Sequence, residues 1–183
     1  MFRSFVLTAL LALAAFTLPA PSAEAQSSAR EIDARVHETL DRFFHKISGA
    51  RELANKSVGL LVFPSVVKAG FGIGGEYGEG ALLVRGETAG YYNTVSASVG
   101  FQLGVQERSV IIAFMTPQAL EQFRRTAGWK IGADASVAII TVGVGGSIDT
   151  NKITSPVVGF ILDPKGLMYN LTLEGSKISR INP

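Results

Sequence analysis

Apolar side chains at Ile32, Val36, Leu40, Phe43, Phe44 and Ile47 recur at spacings of three and four. At about 100° per residue they fall within an arc of roughly 120°, which predicts an amphipathic helix. Ser27 and Ser28 offer N-caps for it, Gly49 offers a stop, and a shorter helical piece is expected over Arg51–Asn55. From Val58 the pattern changes to short β-branched or alternating runs separated by glycine, the signature of strands and turns. The expected strands are Val58–Phe63, Phe71–Tyr77, Ala81–Arg85, Tyr91–Leu103, Ser109–Met115, Ser136–Val144, Val157–Asp163 and Leu167–Ser179. Arg85–Gly90 and Asp163–Gly166 are expected to be hairpin connections, because glycine supplies positive φ and proline fixes a turn.

One helix interrupts the strands. Thr116 caps it, Pro117 suits its first position, Leu120 and Phe123 give it an apolar face, and Gly128 stops it ahead of Trp129, which is expected to pack beside it. The order of elements predicts an α+β fold: a mainly antiparallel curved sheet or partly closed β-barrel, with an N-terminal amphipathic helix and one inserted helix. Glycines spread through the strands are expected at bends, bulges or close backbone approaches.

The N-terminus has a different character. Arg3 precedes an apolar run, Phe5–Leu18, and then come Pro19, Pro21 and the small-residue site Ala23-Glu24-Ala25. That order reads as a secretory signal peptide over residues 1–25, leaving a single domain over 26–183. The run is 14 residues long, short of the roughly 20 that a helix needs to cross a bilayer. The chain has 17 basic and 15 acidic residues, a net charge of +2, too balanced for a dedicated nucleic-acid binder. There is no cysteine, so disulfides, thiolate metal sites and lipidation of cysteine are excluded. The expectation is a periplasmic or secreted protein.

Candidate chemistry is sparse. Gly70-Phe71-Gly72-Ile73-Gly74-Gly75 has the G-x-G-x-x-G spacing, but the residues after it continue a glycine-rich strand and open no helix to hold a pyrophosphate, so no cofactor is expected. His37 and Asp41 stand one helical turn apart without a third ligand, and His45 lies eight residues beyond His37. Glu76 and Glu79 offer an acid and a base, or a calcium site, but point to opposite faces of an extended strand unless a bulge intervenes. Asp149-Thr150-Asn151 offers oxygen ligands or an ordinary turn. No metal site and no enzyme is expected. Arg124, Arg125 and Lys130 form a basic cluster that complements a helix C-terminus or meets anionic head groups. On the first helix, Phe43, Phe44 and Ile47 with Lys46 form a candidate membrane-contact edge; docking of the same edge onto the sheet is the alternative.

The run Leu60-Leu61-Val62-Phe63-Pro64-Ser65-Val66-Val67-Lys68-Ala69-Gly70-Phe71, the glycines of 74–80, and the closing stretch Lys165–Ser176 resemble the SYLF domain family. The resemblance covers roughly Leu53–Ile181 and implies a lipid-binding module with an N-terminal amphipathic helix. It also implies a role for Lys68, in contact with a phosphate or paired with Glu174 of the Leu-Glu-Gly-Ser motif. The expected function is therefore non-catalytic binding of anionic phospholipid or a membrane surface. The ligand-contact candidates are Lys68, Arg124, Arg125, Lys130 and Glu174. The alternatives are a cell-envelope protein-interaction module, using sheet edges or Tyr91 and Tyr92, and a metal-dependent hydrolase built on Glu76, Glu79 or Asp149.

Overall fold

The computed structural model describes residues 23–142, 147–166, 173 and 175–183. Its elements, in chain order, are α1 (Ala23–Lys46), α2 (Ala50–Lys56), β1 (Gly59–Val84), β2 (Glu87–Phe114), α3 (Pro117–Arg125), β3 (Trp129–Lys130), β4 (Ala138–Val142), a 3-10 turn (Thr150–Lys152), β5 (Val157–Gly166) and β6 (Lys177–Ile181). The α+β expectation holds: the sheet curls strongly into a half-barrel, antiparallel except where β4 runs parallel to β5. Among the described residues no helix is long and apolar enough to cross a membrane.

Helix α1 begins at Ala23, so Ser27 and Ser28 lie inside it and do not cap it. Ala23–Gln26 are good helix formers and give the chain no reason to start later. Of the expected stripe, Ile32, Val36, Leu40 and Phe43 are buried on the helix and Ile47 just beyond it, while Phe44 is only half-buried. They pack on Leu60, Val62, Leu83, Ile111 and Phe160 of the outer sheet face, with the Phe43 and Phe160 rings 5.4 Å apart. Asp33 ties the helix to the hairpin by accepting hydrogen bonds from Thr88 and Tyr91, both 2.9 Å long. Helix α3 closes the other face. Thr116 caps it through Ala119 N–H, Pro117 occupies the first turn, and Phe123 meets Trp129 edge-on at 5.3 Å.

The sheet departs from expectation in its strand count. Five expected strands are two: β1 and β2 pair without interruption by other structure from Gly59↔Phe114 to Val84↔Glu87, with register shifts at Phe63/Val66, Phe71/Ile73 and Leu82/Leu83. The glycines break the side-chain pattern but leave the ladder intact. Arg85 (φ 55°) and Gly86 (φ 83°) make the tight turn between them, as expected. Asp163–Gly166, in contrast, is no hairpin connection. Lys165 and Gly166 still pair with Glu107 and Gln106, and Asp163 (φ 47°) with Pro164 forms a bulge opposite Arg108. Most of the expected Leu167–Ser179 strand lies outside the described residues, which resume it as β6.

The two-stranded ribbon is folded over at its middle so that its inner face meets itself. A Cβ on Gly80 would lie 2.0 Å from the Val62 carbonyl oxygen, one on Gly78 would lie 2.7 Å from that of Ser65, and one on Gly70 would lie 2.7 Å from Gly74 Cα. Only glycine permits this approach. At the Phe63/Val66 bulge the Pro64 carbonyl is satisfied by the Ser109 hydroxyl at 2.7 Å.

Between the folded halves lies a buried polar cluster: Lys68, Glu76, Gln106 and Arg108. Arg108 Nη2 donates to Glu76 Oε2 at 2.7 Å, with both side chains almost wholly buried. Burial pushes the Glu76 carboxyl above the usual range, and the Arg108 and Lys68 charges only partly oppose it.

Two stability predictions follow from these contacts. Gly80→Ala should destabilise the protein by about 3 kcal/mol or more, because backbone must move to admit the methyl group. Gly75→Ala, with only the Ser96 oxygen at 4.0 Å, should change little, as read by urea unfolding. Arg108→Met should cost about 3–5 kcal/mol at neutral pH by stranding a buried carboxylate. A folded-state pKa raised above the unfolded value means that stability is gained as pH falls through it, so the deficit of Arg108→Met should shrink towards pH 5. A pH-independent deficit would contradict this account.

Candidate functional site

Where the two ends of the folded ribbon come together, they form one wall of an open groove of about 1210 Å³. The other walls are the flank of α1 that carries Leu40 and Phe44 and the exposed side of α3. The floor is apolar, built from Leu40, Phe44, Leu60, Leu83 and Leu120, and four arginines stand around it: Arg85, Arg124, Arg125 and Arg180. Asp41 and Glu121 are the carboxylates of the lining, so four arginines against two acids leave an excess of two positive charges, with His37 beside them. Arg125 is engaged by Glu121 one turn earlier on α3. Arg51 stacks its guanidinium 4.7 Å from the centre of the Phe44 ring, at the same side of α1.

The four arginines arrive by three routes. Arg85 is carried by the tight turn between β1 and β2, and Arg124 and Arg125 end α3. Arg180 sits on β6 opposite Tyr92 and lies across Gly90, whose Cβ position is 3.5 Å from the Arg180 Nε. Burial raises the Tyr92 hydroxyl pKa, while the nearby Arg180 and Arg124 charges pull it back, which marks both guanidinium groups as neighbours of one ring. A groove with a hydrocarbon floor and a cationic rim has the chemistry to hold an anionic amphiphile. Among the described residues of its lining, the Ser57 hydroxyl donates to the Ala54 carbonyl and His37 Nδ1 faces the Asp33 carbonyl, so these two are not paired as nucleophile and base.

Of the residues expected from sequence, Arg124 and Arg125 line this groove and Lys130 does not. Lys130 is exposed on β3, where its backbone N–H donates to Asp134. Lys68 is buried inside the folded ribbon, opposite Gln106. Glu174, its expected partner, lies outside the described residues. The helix edge divides: Phe43 and Ile47 are core, Lys46 bonds Asp163 at 3.1 Å, and only Phe44 faces the groove. The edge therefore docks on the sheet, and Phe43 and Ile47 present nothing outward in this packing.

The residues of the alternative readings are dispersed. Glu76 is held by Arg108, whereas Glu79 lies on the opposite strand face and accepts from the Tyr77 hydroxyl. Asp149 caps the 3-10 turn through Asn151 N–H, and the adjacent Thr150 is bound by Glu52 and Lys56. His37 turns its Nδ1 to the Asp33 carbonyl oxygen at 2.7 Å. Tyr91 is bonded to Asp33 and Tyr92 is buried against Phe123, so neither is offered to a partner. Arg85 and Arg180 escaped sequence reasoning because nothing near them in the chain signals a site. Only the strand pairing of β6 and the position of the turn bring them to α3.

No curated protein matches this chain. Residues 95–182 match a family described as Las17-binding protein actin regulator, Ysc84. The match starts within β2 and takes in Arg108, α3 and Arg180, while β1 with its Leu60–Phe71 run and both N-terminal helices precede it. Residues 95–182 are thus similar to the Ysc84/SYLF family, the family that the sequence motifs resemble.

Proposed function

We propose that the protein is an exported lipid-binding module that holds anionic phospholipid head groups in the arginine-rimmed groove, without covalent chemistry. The observation that carries this reading is the coincidence of an apolar floor with four arginines drawn from three separate parts of the chain. Basic residues near an anionic bilayer contribute about 1 kcal/mol each, so the groove favours anionic over neutral lipid by a modest, salt-sensitive margin. The export part of the reading rests on the N-terminal sequence pattern. A second reading, a protein-interaction module of the cell envelope, is favoured by the family's description as Las17-binding.

The decisive experiment is co-sedimentation with vesicles of phosphatidylcholine with and without phosphatidylglycerol. Binding should need the anionic lipid, fall with added salt, and drop by about one order of magnitude in Arg124→Ala/Arg125→Ala. Binding that ignores both lipid charge and the double substitution would sink the head-group reading. Recovery of one stoichiometric envelope protein in place of lipid would favour the second. Sequencing the N-terminus of protein recovered from its own export compartment should give Gln26; a chain that still begins at Met1 would remove the signal-peptide assignment.

A further inference from the structure

The chain has two histidines, and both stand on α1. His37 lines the arginine-rimmed groove. His45 is exposed outside that lining, because eight residues along a helix turn it about 80° away. Histidine is the ordinary side chain whose charge changes between about pH 5 and pH 8. One such group therefore stands in the site and the other outside it.

The hydrogen bonding of His37 decides which ring nitrogen is offered. Its Nδ1 lies 2.7 Å from the Asp33 carbonyl oxygen. A carbonyl oxygen only accepts, so Nδ1 carries a proton whether the ring is neutral or charged, and Nε2 is the nitrogen that gains or loses one. The Asp33 carboxylate is held by Thr88 and Tyr91, and Thr88 comes three residues after Arg85, which the tight turn carries. The stretch of helix that presents His37 is thereby set beside that turn.

The other ionisable side chains of the lining are Asp41, one helical turn further along α1, Arg85, Glu121, Arg124, Arg125 and Arg180. From α2 come Ala54 and Asn55, which do not ionise. On α1 itself, Glu38 is paired with Arg42. Carboxylates and guanidinium groups ordinarily keep their charge above about pH 5.5. Glu76, whose carboxyl burial pushes upward, lies inside the folded ribbon and outside this lining. Four arginines less two carboxylates leave an excess of two positive charges, and a proton on Nε2 raises it to three.

We propose that His37 is a ligand-contact residue of the groove, whose charged ring donates through Nε2–H to an oxygen of the anionic head group, so that capture tightens as the surroundings become acidic. This rests on the lipid-binding reading and adds to it the condition under which the site holds its ligand. The sign follows from linkage: an anion in the groove favours the charged ring. The gain is complete where the ring is charged without ligand and is lost where it is neutral even with ligand. One added basic residue is worth about five-fold in affinity.

Co-sedimentation of the full chain with phosphatidylcholine–phosphatidylglycerol vesicles, at about pH 5.5 and about pH 7.5 and equal ionic strength, tests this. The wild type should bind about five-fold more tightly at the lower pH. His37→Gln keeps a donor for the Asp33 carbonyl but takes no charge, and should bind equally at both; His45→Gln should behave as the wild type. The same two variants assign the two histidine ring signals in NMR spectra. The His37 titration midpoint should rise when monomeric dihexanoyl-phosphatidylglycerol is added, and that of His45 should stay. A wild type that binds equally at both pH values, a pH effect that survives His37→Gln, or a His37 midpoint indifferent to the lipid overturns the proposal. If sedimentation still depends on Arg124 and Arg125 in that case, the groove reading survives. A pH effect that needs His37 but is unchanged in Arg124→Ala/Arg125→Ala puts the ring in another site and overturns both, as does an absence of binding to the anionic vesicles at either pH.

Discussion

The close approach of Gly80 to the Val62 carbonyl is the contact on which the architecture depends. A strand of 26 residues would be about 85 Å long if straight, whereas a domain of this size has a radius of gyration of about 15 Å. The ribbon must therefore fold across itself, and two sheets of ordinary side chains pack about 10 Å apart. Glycine at 70, 74, 78 and 80 removes the side chains from the inner face, so the ribbon meets itself backbone to backbone. The cost of glycine within a strand is offset by a turn that no other residue allows.

Folding the ribbon creates two environments from one alternating sequence. Inside the bend, the inner face must bury whatever polar groups it carries, which places Arg108 against Glu76 in a nearly dry setting. Such a pair is weak evidence for stability, but a change that removes one partner leaves the other charged and buried. At the open end the same fold draws Leu60, Leu83 and Arg85 to one spot, although 25 residues of chain separate the first from the last. β6 then lays Arg180 beside them through its pairing with β2. The groove is a consequence of the bend.

Local signals in the sequence were legible where local physics decides the outcome. The α1 stripe, the Thr116 cap with Pro117, the tight turn at Arg85-Gly86 and the packing of Trp129 on α3 all depend on residues within a few positions of one another. The G-x-G-x-x-G spacing was correctly assigned to a strand for the same reason. Two kinds of feature were not legible. Glycine reads as a strand break, so β1 and β2 were divided; whether a glycine ends a ladder or lets it bend depends on what packs against it. Likewise, Asp163-Pro164 has turn chemistry, yet its neighbours Lys165 and Gly166 keep their partners on β2, and the turn becomes a bulge. The site was half visible: adjacent arginines on a helix end are a local pattern, while Arg85 and Arg180 become neighbours only through topology.

The position of α1 constrains any contact with lipid on the proposed reading. Releasing the helix to lie on a membrane would expose Ile32, Val36, Leu40, Phe43 and Ile47, each contributing about 1.5–3 kcal/mol by burial. The sheet side chains beneath them would be exposed as well. The sum is comparable with the whole stability of a typical domain, about 5–15 kcal/mol. A membrane returns part of it by taking the helix's apolar face, but nothing replaces the cover lost by Leu60, Val62 and Phe160. The exposed polar flank adds little, because Arg35 and Arg42 are already neutralised by Glu31 and Glu38 and Lys46 by Asp163. On the proposed lipid-binding reading, contact therefore uses a surface that stays exposed with the helix docked, the arginine rim, and the amphipathic pattern of α1 is explained by its place in the fold.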